Sequence, residues 1–277
     1  MLKLAAFADE ISPNIDEQIA VCKANDITHF ELRGVNKVNV LDFDAALRDE
    51  IRQKTRASGI GIACIGSPIG KVKISESWSA HFERFRIAVE LAEFFSAGLI
   101  RIFSYYPPDK GDDMRKYREE VLRRMQAKLD YIRSKPLVLV HENEKEIYGE
   151  KAAECLDLLQ SLHHPQFRCA FDFANFVQAG EHPLNNWSML RPYVAHIHVK
   201  DCRFNSPKMV PAGEGEGQIE PIIVDAYQNG YRGFLTLEPH LLVAGHSHGE
   251  TGPEMFKVAT DALKAICRRN NIPLGSA

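Results

Sequence analysis

The sequence predicts a single-domain (β/α)8 barrel spanning residues 1–277. Three observations lead there. Short apolar runs rich in β-branched residues alternate with amphipathic stretches from one end of the chain to the other. Each run with its following stretch takes about thirty residues, the size of one βα unit, and there are eight such units. Four successive runs in the second half end in a carboxylate or an imidazole, and the strand ends of a parallel barrel share one face.

The eight candidate strands are Leu2–Ala8, His29–Arg33, Gly61–Ile65, Leu99–Phe103, Pro136–His141, Phe167–Phe171, Val194–Val199 and Gly233–Leu237. Helical periodicity fills the intervals at Asp16–Ala24, Ala45–Ala57, His81–Ser96, Tyr117–Ser134, Glu150–Leu162, Pro221–Gln228 and Gly252–Arg269. The stretch Asn185–Arg191 is too short to assign. A doubly wound open sheet is the rival pattern, and it usually opens on a glycine-rich turn. Here the first turn, Phe7-Ala8-Asp9-Glu10-Ile11-Ser12-Pro13, has no glycine. Ser12 before Pro13 reads as a helix N-cap with proline at the first helical position.

Composition narrows the function. The chain has 277 residues, 45% apolar and 26% charged, with 34 basic against 37 acidic residues and a net charge of -3. That balance argues against a dedicated nucleic-acid binder. None of the six cysteines forms a C-x-x-C pair, so zinc-ribbon spacing is absent. Met1–Asp9 lacks the layout of a signal peptide, and no apolar run approaches the ~20 residues of a membrane span. The expectation is a cytoplasmic protein with reduced thiols and no membrane partner.

The four strand ends carry the chemistry. The fifth strand closes on Glu142, the sixth on Asp172, the seventh runs Ala195-His196-Ile197-His198-Val199-Lys200-Asp201, and the eighth closes on Glu238. Side chains alternate along a strand, so His196, His198 and Lys200 share one side. Three carboxylates and one imidazole suit one divalent ion, Mn, Mg, Co or Zn, and exclude a soft thiolate site. Without a cation, such groups would repel one another when buried.

At these residues the chain resembles the xylose isomerase-like TIM-barrel superfamily, in particular its sugar phosphate isomerase/epimerase members. The resemblance spans the whole chain. It is most specific at the four ligand positions, at His196–Asp201, at Gly252-Pro253-Glu254-Met255-Phe256 and at Phe7–Ser12. It implies that Glu142, Asp172, His198 and Glu238 ligate the metal and that Glu142 and Glu238 exchange protons with substrate. Arg203 is the nearest match to a substrate-contacting arginine, offset by about one residue, and Lys200 is a further substrate contact. Asn175 stands where ketose epimerases and the endonuclease branch carry a histidine. Gly66 and Ser104 stand where that branch carries extra histidines, which argues against a three-zinc site and DNA repair. Members of this group are often homo-oligomers.

The expected reaction is metal-dependent isomerisation or epimerisation of a small sugar or sugar phosphate through an ene-diolate. Dehydration of a keto-inositol or keto-sugar uses the same opposed carboxylates, and endonuclease action is the outlying alternative. Several other residues carry expectations. Asp9 and Glu10 end the first strand, as substrate contacts or helix caps. Glu31 and Arg33 are read as a buried ion pair beneath the site. One of His141, Asn143 and Glu144 is read as orienting a ligand. His240, His246 and His248 are candidate pocket residues, Gly245, Gly249 and Gly252 a candidate phosphate cradle, and Tyr105, Tyr106 and Trp187 candidate stacking rings.

Overall fold

A computed structural model describes residues 1–243 and 249–275. Its centre is a closed barrel of eight parallel strands: β1 Lys3–Ala6, β2 His29–Leu32, β3 Gly61–Ile65, β4 Leu99–Ile102, β5 Val138–Glu142, β6 Phe167–Asp172, β7 Val194–Val199 and β8 Phe234–Leu237. Each strand pairs with its neighbours in sequence, and β1 closes the ring on β8, with Lys3 opposite Phe234 and Ala6 opposite Leu237. The helices are α1 Ile15–Ala24, α2 Ala45–Ser58, α3 Trp78–Phe95, α4 Arg118–Ile132, α5 Ala152–Leu162, α6 Phe173–Gln178, α7 Pro183–Leu190, α8 Ile219–Gln228 and α9 Gly252–Arg269. Among the described residues no helix is long and apolar enough to cross a membrane.

Local chemistry sets the element ends. Asn14, not Ser12, caps α1, accepting from the backbone N–H of Asp16 and Glu17; Ser12 instead accepts from the N–H of Asn14. Asp44 caps α2, which stops at Gly59 in the left-handed region (φ 76°). Two helices go beyond the sequence reading. The unassigned stretch forms α7, with Pro183 in its first turn. α6 was not anticipated, because it is six residues long and starts directly on the metal-ligand candidate Asp172, whose side chain caps it.

Strand alternation divides the core. Outward residues such as Phe30, Ile100, Leu139, Phe171, Ile197 and Leu235 pack under the helices in one large cluster. Val138 and Val140 share the inward face of β5 with Glu142, and Ala170 shares that of β6 with Asp172. The inward apolar cluster is small, centred on Cys64, Val140 and Ala170. Above it, towards the C-terminal ends, the inward positions become polar: Glu31 and Arg33, Arg101, Glu142, Asp172, His196 and His198, Thr236 and Glu238, every one of them buried.

Candidate metal centre and active site

Glu142, Asp172, His198 and Glu238 converge as anticipated. Each offers one ligand atom, and these atoms lie within 4.8 Å of one another. The strands explain the convergence. β5, β6 and β7 are adjacent: Glu142 lies opposite Ala170, two residues before Asp172 on the same inward side, Asp172 lies opposite His198, and β8 adds Thr236 opposite His198, two residues before Glu238.

The donor atoms are individually prepared. Asp172 Oδ1 accepts from the N–H of Asn175 at 2.8 Å, as the cap of α6, while Asp172 Oδ2 is buried without a hydrogen-bond partner and lies 3.0 Å from Lys200 Nζ. His198 Nε2 lies 3.0 Å from Glu31 Oε2, which selects the tautomer with the proton on Nε2. Nδ1 lies 3.2 Å from Glu142 Oε1. Burial opposes charge on the ring, but Glu31 and Glu142 outweigh it and raise its pKa well above the ordinary value, so Nδ1 would give up its proton on taking a cation. A ligating histidine usually donates its other N–H to such a carboxylate. Glu142 Oε2 is held by Arg101 at 3.1 Å and its Oε1 by Asn175 Nδ2 at 3.3 Å. Glu238 Oε1 is held by Arg33 at 3.0 Å and its Oε2 by Lys200 at 3.3 Å.

The electrostatics fit a bound cation. Burial, reinforced by the charges of Glu142 and Glu238, pushes the Asp172 carboxyl up to about 7 despite Lys200. Burial also works against ionisation of Glu142, but His198 and Arg101 outweigh it and hold that carboxyl at about 2. Burial opposes charge on Glu238 likewise, and Lys200, His240 and His198 hold it well below the usual range. Of the three carboxyls only Asp172 is left without enough positive charge to offset its burial, and two buried donor atoms are left over. A divalent ion fits both facts.

Support residues fall into place around the ligands. Asn143 is the orienting residue among the three flanking candidates: its side chain accepts from the N–H of Asp172 at 2.9 Å and donates to the carbonyl of Asp172 at 3.0 Å. His141 faces away, against Ser104 Oγ at 2.9 Å. Glu31 and Arg33 are buried beneath the site but are not each other's partners. Glu31 serves His196 (2.6 Å) and His198, and Arg33 serves Asp9 (2.8 Å) and Glu238. Gly66 and Ser104 hold the places of the missing histidines for packing reasons. A Cβ on Gly66 would lie 2.9 Å from the Phe7 ring, and Ser104 Oγ accepts from the N–H of Gly149 at 2.8 Å.

Other expectations are redirected. Glu10 does not line the pocket. Its carboxylate accepts from the N–H of His240 (2.9 Å) and the Thr251 hydroxyl (2.7 Å), tying the first strand to the loop after β8. Arg203 is exposed, with Nε 3.4 Å from the carbonyl of Glu214, and is not brought to the cluster. Asn175 and Lys200 do line it. His240 reaches the pocket, 3.5 Å from Glu238 Oε1. Gly249 is required by the His240 ring, which a Cβ there would meet at 1.9 Å, and the N–H of Thr251 before α9 donates to the Glu10 carbonyl. Gly245, His246 and His248 lie outside the described residues. Tyr105 is buried against Lys128, Trp187 donates to Asp225 at 2.6 Å, and Tyr106 lines a neighbouring groove, so none of the three stacks in the pocket.

Sequence reasoning missed Arg101. It is the one charge inside the apolar run Leu99-Ile100-Arg101-Ile102, and its inward parity was the available signal. With Arg33 it brackets the Phe7 ring, the guanidinium carbons 4.8 and 4.5 Å from the ring centre. The pocket over the cluster has a volume of about 180 Å³. A larger open groove of about 930 Å³ beside it, lined by Tyr106, Met114 and Tyr148, contains none of the four ligand candidates.

The architecture and this site define a class, the xylose isomerase-like TIM barrels. The chain belongs to that family, which it matches over residues 19–266. It is 23% identical over 132 residues to a 3-dehydroshikimate dehydratase of Bacillus anthracis, an alignment covering 47% of this chain and 46% of that protein. The fold superposes on a xylose isomerase-like TIM barrel protein from Mycobacterium smegmatis in complex with magnesium (TM-score 0.75, 15% identity, 98% of each chain). It superposes equally on D-allulose 3-epimerase from Methylomonas sp. in complex with D-allulose (TM-score 0.75, 15% identity, 97% of each chain).

Proposed function

We propose that this protein is a metal-dependent isomerase or epimerase acting on a small sugar-like molecule by moving a carbon-bound proton beside a carbonyl. One observation carries the reading. Two ionised carboxylates, Glu142 from β5 and Glu238 from β8, approach one point from strands separated by two others, with Asp172 and His198 completing a four-donor set. These four residues would hold one divalent ion, which when bound polarises a substrate carbonyl and its neighbouring hydroxyl.

The chain's own residues supply the rest. Glu142 accepts the carbon-bound proton on one face, and Glu238 delivers a proton on the other. Arg101 and Arg33 fix the outer oxygens of these two groups, so each carboxylate presents one oxygen inwards. His240 Nε2, 3.5 Å from Glu238 Oε1 and 3.1 Å from Glu10 Oε1, is placed to pass a proton to Glu238.

The test is deuterium incorporation from D2O into a ketose panel by the metal-loaded protein, followed by NMR. Exchange at a carbon beside the carbonyl, lost in both Glu142→Gln and Glu238→Gln, is the expected result. Exchange that survives both substitutions overturns the assignment. The likeness to 3-dehydroshikimate dehydratase favours a second reading, β-elimination of water from a keto-substrate after the same proton abstraction. There the product is an unsaturated ketone, visible by its ultraviolet absorbance, and no epimer accumulates.

A further inference from the structure

We propose that the substrate carries an anionic group, a carboxylate or a phosphate, that seats against Lys145 and Lys71 at the rim of the pocket. The inference rests on the reading that the pocket above Glu142 and Glu238 is the reaction site, and it adds the substrate's charge.

Five Lys and Arg side chains line this one pocket: Arg33, Lys71, Arg101, Lys145 and Lys200. Arg33, Arg101 and Lys200 are committed to the carboxylates of Glu142, Asp172 and Glu238. Lys145 is half-buried, yet no carboxylate lies within ion-pair distance of it among the described residues. Lys71 is brought beside it by a built contact. Glu144 Oε2 takes Lys71 Nζ at 2.7 Å, while Glu144 Oε1 accepts the backbone N–H of Lys145 at 2.9 Å. One glutamate thus ties the segment after β3 to the segment after β5 and aims two ammonium groups at the same rim.

The rest of the lining agrees. Its apolar members are Pro207 and Met209, and among the described residues its one ring is the His240 imidazole, which sits between Glu10 and Glu238. A neutral sugar ring finds no Phe, Tyr or Trp face to stack on, whereas a charged substituent finds a donor with unused capacity. The site is small, so the anion belongs to a monosaccharide-sized molecule.

The test compares matched probes on the full-length, metal-loaded protein by titration calorimetry: D-fructose, D-fructose 6-phosphate and 5-keto-D-gluconate. One anion should bind at least about tenfold more tightly than D-fructose, the scale of one charge-assisted contact. Whichever anion does so distinguishes phosphate from carboxylate. The preference should vanish in Lys145→Met and survive in Lys145→Arg, with unfolding temperatures confirming that both variants are folded. D-fructose binding as tightly as both anions, failure of both anions to bind, or an undiminished preference in Lys145→Met overturns the proposal. Deuterium exchange is read on the same samples. Exchange without anion preference leaves the proton-transfer reading standing alone, and anion preference without exchange leaves this subsite standing alone.

Discussion

Replacing Glu31 by Gln should weaken metal binding without touching a metal ligand. Glu31 Oε2 lies 2.6 Å from His196 Nε2 and 3.0 Å from His198 Nε2, and the side chain is fully buried. It is the only carboxylate within ion-pair distance of His198 Nε2 among the described residues, so it alone fixes which nitrogen carries the proton. A glutamine keeps the shape and an acceptor oxygen but loses the charge that makes Nδ1 a stronger donor to a cation. It can also turn its NH2 towards Nε2, which favours the wrong tautomer. Loss of such an outer partner typically costs about 10–100-fold in metal affinity. That is roughly 1.4–2.7 kcal/mol.

The assay is competition for Mn²⁺ against a fluorescent chelator, with unfolding of the metal-free protein measured in parallel. The second measurement matters because breaking a buried charge network destabilises the fold itself. Weakened binding in a variant that stays folded at the assay temperature is the expected result, with one metal per chain retained. An affinity within about twofold of the parent, in a folded Glu31→Gln protein, refutes the argument that Glu31 prepares His198, because the outer-partner rule demands at least tenfold.

Three further predictions concern stability. Lys128 is fully buried, with Nζ 2.5 Å from the Tyr105 hydroxyl, and burial, with the charge of Arg124 adding to it, lowers its amine to about 7. The unfolded chain recovers an ordinary lysine near ~10.4, so stability should climb with pH between those values, and the full penalty, on the order of 4 kcal/mol, applies below the lower one. Lys128→Met should therefore melt above the parent near neutral pH and lose that advantage in alkaline buffer; parallel melting curves across this range would contradict it. Asn143→Ala strands the buried N–H of Asp172 and removes a second donor to its carbonyl, and should cost about 1–3 kcal/mol, measured by urea unfolding, along with weaker Mn²⁺ binding. Gly66→Ala places a methyl 2.9 Å from Phe7 and 3.2 Å from Glu31, and overpacking of about 1–3 kcal/mol should appear as a lower unfolding temperature.

The sequence made the barrel legible because eight βα units repeat one period, and it made the four ligand candidates legible because each lies at or beside the end of an apolar strand. What stayed hidden depended on contacts between distant strands. Arg101 and Glu142 are 41 positions apart, and Glu31 and His198 are 167 apart. No local pattern joins them. Alternation did hold more than was read from it. Applied to β7 alone, it groups His196, His198 and Lys200. Applied to every strand, it also selects Phe7, Glu31, Arg33, Arg101 and Thr236; Asp9 and Glu10 fall in a 3-10 turn past the end of β1, and Glu10 serves the loop after β8. Arg203 lies past the end of β7, where strand parity says nothing and an offset of one residue decides whether a side chain reaches the site. α6 was invisible for another reason: Asp172 is both a metal-ligand candidate and a helix cap, since its Oδ1 caps α6 while its Oδ2 has no hydrogen bond.

That division of atoms is general across the site. Asp172 gives Oδ1 to α6, and its Oδ2 has no hydrogen bond. His198 gives Nε2 to Glu31 and keeps Nδ1. Glu142 gives Oε2 to Arg101, and Glu238 gives Oε1 to Arg33. Every candidate ligand is pinned through one atom by a residue on another element, so its remaining atom has little freedom to reorient. A cation entering such a set meets donors already in place and spends little binding energy on ordering them. The two arginines do not compete for that position, because each guanidinium stays with an outer oxygen and packs on the Phe7 ring beneath. Lys200 is different. Its ammonium touches Asp172 Oδ2 and Glu238 Oε2, the side of the ligands that faces the pocket. It therefore balances these carboxylates from the pocket side, where the proposed substrate would arrive.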